Sequence, residues 1–105
     1  MDMEEIDRQY AEWITPRAPF GWEIRTTQAM QMSNGVAWTA DLLNPVGEVV
    51  GYVEQQGNGG ADRVEFYHKH DRKTWEHDVR ASYDGNFDEE AATGWLVDRE
   101  DRSHG

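Results

Sequence analysis

The chain has no cysteine, so disulfides and thiolate metal sites are excluded and redox chemistry leaves its compartment unmarked. It is also short of positive charge. Ten Lys and Arg residues stand against 21 Asp and Glu, a formal net charge of −11. A nucleic-acid backbone or an anionic membrane attracts the opposite sign, so neither is expected as a direct partner, whereas a basic protein is. No apolar run approaches the roughly 18 residues of a membrane span, and no signal-peptide pattern opens the chain. The expectation is a soluble cytoplasmic protein. There is no Gly-x-Ser-x-Gly elbow, and carboxylate pairs are too common in so acidic a chain to single out a catalytic one. No catalytic residue, cofactor or metal is therefore assigned, and a non-enzyme is expected. With 105 residues the chain holds one core and one domain.

What is present is organised around Gly35 to Gly60. Val36, Trp38, Ala40 and Leu42 alternate with Ala37, Thr39, Asp41 and Leu43, the period of a half-buried strand. Val49, Gly51 and Val53 alternate with Val50, Tyr52 and Glu54. Between these runs, Asn44-Pro45-Val46-Gly47 has the residues of a type I turn. A two-residue loop at Pro45-Val46 pairs Leu42 with Val49, Ala40 with Gly51 and Trp38 with Val53, which places the apolar sets on one face. For the preceding hairpin, a three-residue loop Ser33-Asn34-Gly35 pairs Met32 with Val36 and Met30 with Trp38. A two-residue Asn34-Gly35 turn would mix the faces.

Helix signals flank this sheet. Met3 to Ile14 reads as a helix capped by Asp2, with Ile6, Tyr10 and Trp13 forming one apolar stripe, expected as core in preference to a partner-binding face, and Pro16 ending it. Trp22 to Met32 reads as a first strand with Trp22, Ile24, Met30 and Met32 on one face, and its polar middle suggests a bend or a sheet edge. Val64, Phe66 and His68 form one face of a fourth strand. Pairing Gln55 with Asp62 sets Phe66 opposite Gly51 and Val64 opposite Val53, so that an aromatic covers backbone left bare by glycine. Asp71 is the expected cap of a helix over Arg72 to Tyr83, with Gly85 left-handed beyond it. Asn86 and Glu89 form a capping box for a helix over Phe87 to Val97, weakened by Gly94, and the tail from Asp98 is expected to fray. The predicted architecture is α+β: an N-terminal helix (1–15), a four-stranded antiparallel meander (22–70), two C-terminal helices (71–98) packed on one face, and a polar tail (99–105).

The stretch from Gly35 to Gly60 resembles a family of small, largely uncharacterised proteins of bacteriophages and bacterial genomes. The residues that carry the resemblance are Gly35, Ala37-Trp38, Ala40, Leu42, Gly47, Val50-Gly51-Tyr52-Val53 and Gly57-Asn58-Gly59-Gly60. The family usually has an Asp-Gly turn where this chain has Asn44-Pro45-Val46-Gly47. The resemblance implies a phage or mobile-element setting and brings no catalytic residue with it.

Four constellations remain. His68, His70 and His77, with Asp71 and Asp78, have metal-ligand composition and would suit a metal-dependent hydrolase or nuclease; the competing reading is a set of solvated histidines at the end of a strand. Gly57-Asn58-Gly59-Gly60 lacks the following helix and the basic residue that a phosphate loop needs, so a hairpin connection is expected. Asp84, Asp88, Glu89 and Glu90 belong to an acidic C-terminal half, which is either a solvated face or a surface matched to a basic groove. Val50, Tyr52 and Tyr67 are expected on the outer sheet face, either under the first helix or open to a partner or a second copy. These readings converge on a protein-binding module acting as an inhibitor of a basic, nucleic-acid-binding host protein, with Tyr52, Tyr67, Asp84, Asp88, Glu89 and Glu90 as contacts. Ala40 and Gly51 leave space on the buried face for Trp75 or Trp95. Truncating Trp75 to alanine should then cost about 3–5 kcal/mol in a urea titration.

Overall fold

The computed structural model describes residues 3–58 and 60–104. The elements follow in the order α1 (Met3–Ile14), β1 (Glu23–Met32), β2 (Gly35–Leu43), β3 (Val49–Gln55), β4 (Arg63–Phe66), α2 (Lys69–Ser82) and α3 (Glu89–His104). The strands form one antiparallel sheet in the order β1-β2-β3-β4, so the α+β meander is as expected. Ile24, Ala40, Leu42, Val53 and Val64 from the sheet share a single core with Trp75, Val79 and Tyr83 of the α2 region and with Ala91, Ala92 and Leu96 of α3. Trp75 is fully buried at its centre, with ring centroids 5.1 Å from Trp22, 5.6 Å from Phe20 and 6.2 Å from Phe66.

The β3–β4 register is the expected one, with Gly51 opposite Phe66 and Val53 opposite Val64. The β2–β3 register differs by two residues. Asn44 pairs with Glu48, whose carbonyl accepts the Asn44 amide at 2.9 Å, and the Asn44 carboxamide accepts the Val46 and Glu48 amides at 3.2 and 2.9 Å. Gly47 takes the positive φ of 86° that this three-residue loop requires. One added loop residue alone would turn every apolar side chain outward. A bulge at Val50, between the Leu42–Gly51 and Leu43–Val49 pairs, adds a second shift and restores the faces. Ala40 therefore lies opposite Val53 and Trp38 opposite Gln55. Val50 is buried in the core, not displayed on the outer face as its alternation predicted.

The β1–β2 hairpin turns through Ser33-Asn34, with Met32 opposite Gly35, so the three-residue loop is replaced by a tighter one. A register shift at Thr27 divides β1. On its core side Ile24 faces Leu42 and Thr26 faces Ala40; beyond it Ala29 faces Trp38 and Met30 faces Ala37. An odd shift changes the face, which is why Met30 and Met32 are exposed while Ile24 and Trp22 are buried. The polar middle thus marks a bulge in an edge strand.

The helices also differ from expectation at their ends. The strand stops at Phe66 and α2 begins one turn early, with His68 at the N-cap and Asp71 buried in the first turn. There the helix dipole favours its charge. Asp88, not Asn86, caps α3: its carboxylate accepts the Ala91 amide at 3.3 Å. The proposed cap Asp2 lies outside the described residues. The segment from Asp98 is helical through His104, because its polar side chains have partners. Arg102 pairs with Asp98 at 2.9 Å and lies 5.2 Å over the Trp95 ring, and Glu100 accepts the Thr26 amide at 2.6 Å.

Helix α1 packs against α3. A Cβ at Gly94 would lie 2.8 Å from the Tyr10 hydroxyl and 3.0 Å from Ile14 Cγ2, so the glycine that weakens α3 is the one that lets α1 approach. Gly51 is under a harder constraint. A Cβ there would overlap the Glu65 carbonyl oxygen and reach the Phe66 backbone at 3.1 Å, which no side-chain rotation relieves. Gly51→Ala should cost more than about 3 kcal/mol, at the upper end of single substitutions, with loss of the cooperative thermal transition the expected observation.

Candidate partner-binding surface

The carboxylates named by the sequence are gathered around the start of α3, but they do different things. Asp84 is exposed, adopts φ 57° and lies 3.8 Å from the Arg17 guanidinium. Asp88 caps the helix with one oxygen and accepts the Trp13 indole N–H with the other at 2.9 Å. Glu89 is half-buried and accepts the Trp75 indole N–H at 2.9 Å. Glu90 is exposed, and its carboxylate makes no hydrogen bond or ion pair among the described residues. Of this acidic group, only Glu90 is wholly available to another molecule.

Tyr52 and Tyr67 lie elsewhere, on the sheet face away from α2 and α3, with ring centroids 6.3 Å apart at 44°. Glu54, Arg63, Glu65 and Arg72 form a chain of ion pairs beside them, at 2.8 to 3.8 Å. Since α1 packs on α3, this outer face is open, and Tyr67 is 58% exposed. The six residues expected as partner contacts therefore lie on two separate surfaces.

The α1 stripe, expected as core in preference to a partner-binding face, is a third surface. Ile6, Tyr10 and Trp13 of α1 are 45%, 51% and 39% exposed, and Ile14 alone among the described residues of the helix is buried. The Tyr10 and Trp13 rings stand 5.9 Å apart. Partial burial raises the Tyr10 phenol above its ordinary range, and the nearby carboxylates of Asp62, Asp98 and Glu90 raise it further. An aromatic stripe thus runs beside acidic charge, of which Asp98 is paired with Arg102, Asp62 accepts from Gln55, and Glu90 has no partner among the described residues. The signal that could have shown this in the sequence is Gly94, which places the docking contact at Tyr10 and Ile14 and leaves the rest of the stripe uncovered.

The histidines do not assemble. His70 pairs with Asp71 at 3.2 Å and His77 with Asp78 at 3.1 Å, each on its own. His68 and His70 do not alternate along a strand, since His70 already belongs to α2. Among the described residues no group of three or more His, Asp or Glu side chains is placed to hold a metal ion. The donor set does not fit the metal-dependent reading. Gln55 and Asn58 brace the β3–β4 loop, accepting the Gly57 and Gly60 amides, and the loop leads into β4 and not into a helix; its Gly59 lies outside the described residues. Compared with protein-family models, curated proteins and solved structures, the chain matches none.

Glu89 carries a pH prediction. Burial raises its pKa, opposed by the Trp75 hydrogen bond and by Arg72. A carboxyl raised in the folded state binds its proton more tightly there than in the unfolded chain. Its charge therefore lowers stability above the raised value, and that loss is relieved as pH falls towards the ordinary value of 4.5. In Glu89→Gln, whose amide oxygen can still accept the indole N–H, this component of the stability–pH curve should vanish. Urea titrations of both proteins across the acid range measure it.

Proposed function

We propose that the chain is a small acidic, non-enzymatic binding module that occupies a basic surface on another protein, in the phage or mobile-element setting its central hairpins suggest. The partner would use that surface for nucleic acid, and inhibition would be by occupancy, without turnover. The observation that carries this reading is the open Ile6–Tyr10–Trp13 stripe beside Glu90 and Asp98. Aromatic rings supply contact area and attract Lys and Arg through their faces, while the surrounding carboxylates steer a cationic partner. Glu4, Asp7 and Glu12 of α1 add negative charge with no ion pair among the described residues. The net charge of −11 gives the long-range field the same sign.

Electrostatic capture has a definite signature. Affinity for the basic partner, isolated from host lysate at low salt, should fall as salt rises. Glu90→Lys with Asp7→Lys, both exposed and without an ion pair among the described residues, should weaken binding by roughly 1.4 kcal/mol together, about tenfold in Kd, with thermal unfolding unchanged. Binding indifferent to salt and to both reversals would sink the proposal. Glu89 is unsuitable for this test because it holds Trp75.

A further inference from the structure

We infer that the free edge of β1 beyond its bulge, Gln28 to Met32, pairs with the same edge of a second copy of this chain, joining two four-stranded sheets antiparallel about a two-fold axis at Met30. β1 ends the sheet order, so one side of its backbone has no strand beside it. On the core side of the bulge that edge is closed. The Glu100 carboxylate accepts the Thr26 amide at 2.6 Å and the Thr26 hydroxyl, and Arg99 donates to the Phe20 and Trp22 carbonyls. Beyond the bulge it is open, and every residue from Arg25 to Asn34 is exposed.

Open edges are ordinarily guarded by charge or proline against pairing with another chain. This one is not. Between Arg25 and Asp41 there is no Asp, Glu, Lys, Arg, His or Pro, in a chain that is 30% charged. It is the longest uncharged stretch of the sequence. Met30, Met32 and Val36 are 57%, 43% and 44% exposed along it.

Charge selects the occupant. A basic partner finds no complement on this hairpin. Two copies of the chain, each at −11, repel one another wherever their carboxylates approach, and the uncharged hairpin is where they can meet without that cost. A two-fold pairing sets Met30 against its own counterpart and Gln28 against Met32, completing backbone hydrogen bonds on both edges.

The salt response is opposite to that of a basic partner, because screening the repulsion favours the pair. Sedimentation of the purified chain from micromolar to millimolar concentration should show a monomer–dimer equilibrium that shifts to dimer as salt rises. The double variant Gln28→Lys, Met30→Lys, with both changes at exposed positions, should keep its melting temperature and dimerise about tenfold more weakly or worse. Because the chain has no cysteine, Met30→Cys should cross-link under a thiol oxidant, whereas Val46→Cys, exposed on the hairpin at the other end of the sheet, should not. A monomer at every concentration and salt overturns the proposal. So does a dimer unaffected by the lysines, or equal cross-linking at Met30 and Val46.

Discussion

Three indole–carboxylate hydrogen bonds hold the layers of this molecule to one another. Trp22, leading into the sheet, donates to Asp78 on α2 at 2.8 Å; Trp75 on α2 donates to Glu89 on α3; Trp13 on α1 donates to Asp88, also at the start of α3. Each joins segments distant in sequence, and each gives a large apolar ring a partner for its single polar group. The bonds from the buried Trp22 and Trp75 contribute on the order of 1.5–3 kcal/mol apiece, and leaving either indole N–H unpaired in the core would cost a comparable amount, whereas the surface bond from Trp13 contributes less. The acidity of the chain is thus partly structural. Asp78, Asp88 and Glu89 read in the sequence as surface charge, yet they fix where the tryptophans point.

The sheet was legible where side-chain parity was undisturbed. Between β3 and β4, alternation and the Gly51–Phe66 pairing gave the register directly, because Gly51 tolerates only the backbone of β4 across from it. Between β2 and β3 the faces came out right and the pairs wrong, since a loop residue and the Val50 bulge each shift the register by one and their parities cancel. In β1 a single shift at Thr27 has nothing to cancel it, so Met30 and Met32 emerge on the other face. Alternation reports the sum of such shifts. It is blind to pairs of them and misled by odd ones.

The candidate surface was less legible, for a different reason. An amphipathic stripe shows that a helix has an apolar face, without showing how much of that face finds a partner. The α1 stripe is wide enough to have been core, and it would have been had the helix crossed the open face of the sheet. Instead Ile14 and the Tyr10 hydroxyl dock beside Gly94, and the Tyr83 hydroxyl holds the Ile14 carbonyl, which fixes the end of α1 and leaves Ile6 and about half of Tyr10 exposed. Small residues in a neighbouring helix locate such contacts better than the stripe itself. The polar α3 extension is a related case. Residues from Asp98 to His104 have the composition of a tail, and they are helical because Thr26, Phe20, Trp22 and Trp95 supply partners that no local pattern announces.

Removing the structurally engaged carboxylates from the charge map sharpens what remains. Asp78, Asp88, Glu89 and Glu100 face inward to indoles or backbone, and Glu54 and Glu65 are tied to Arg63. Glu4, Asp7, Glu12 and Glu90 have no such partner among the described residues, and they lie on α1 and the first turn of α3. Glu23, Asp41, Glu76 and Asp101 are likewise without such a partner among the described residues. The unneutralised field therefore covers the α1–α3 side, where the exposed aromatics are, together with α2 and the far end of the sheet, and is weakest along the β1–β2 hairpin, where charge is missing from the sequence altogether. With a screening length of about 8 Å at physiological salt, these two regions respond to their own charges more than to the molecular total. One acidic chain can in this way present a surface that salt weakens and another that salt strengthens.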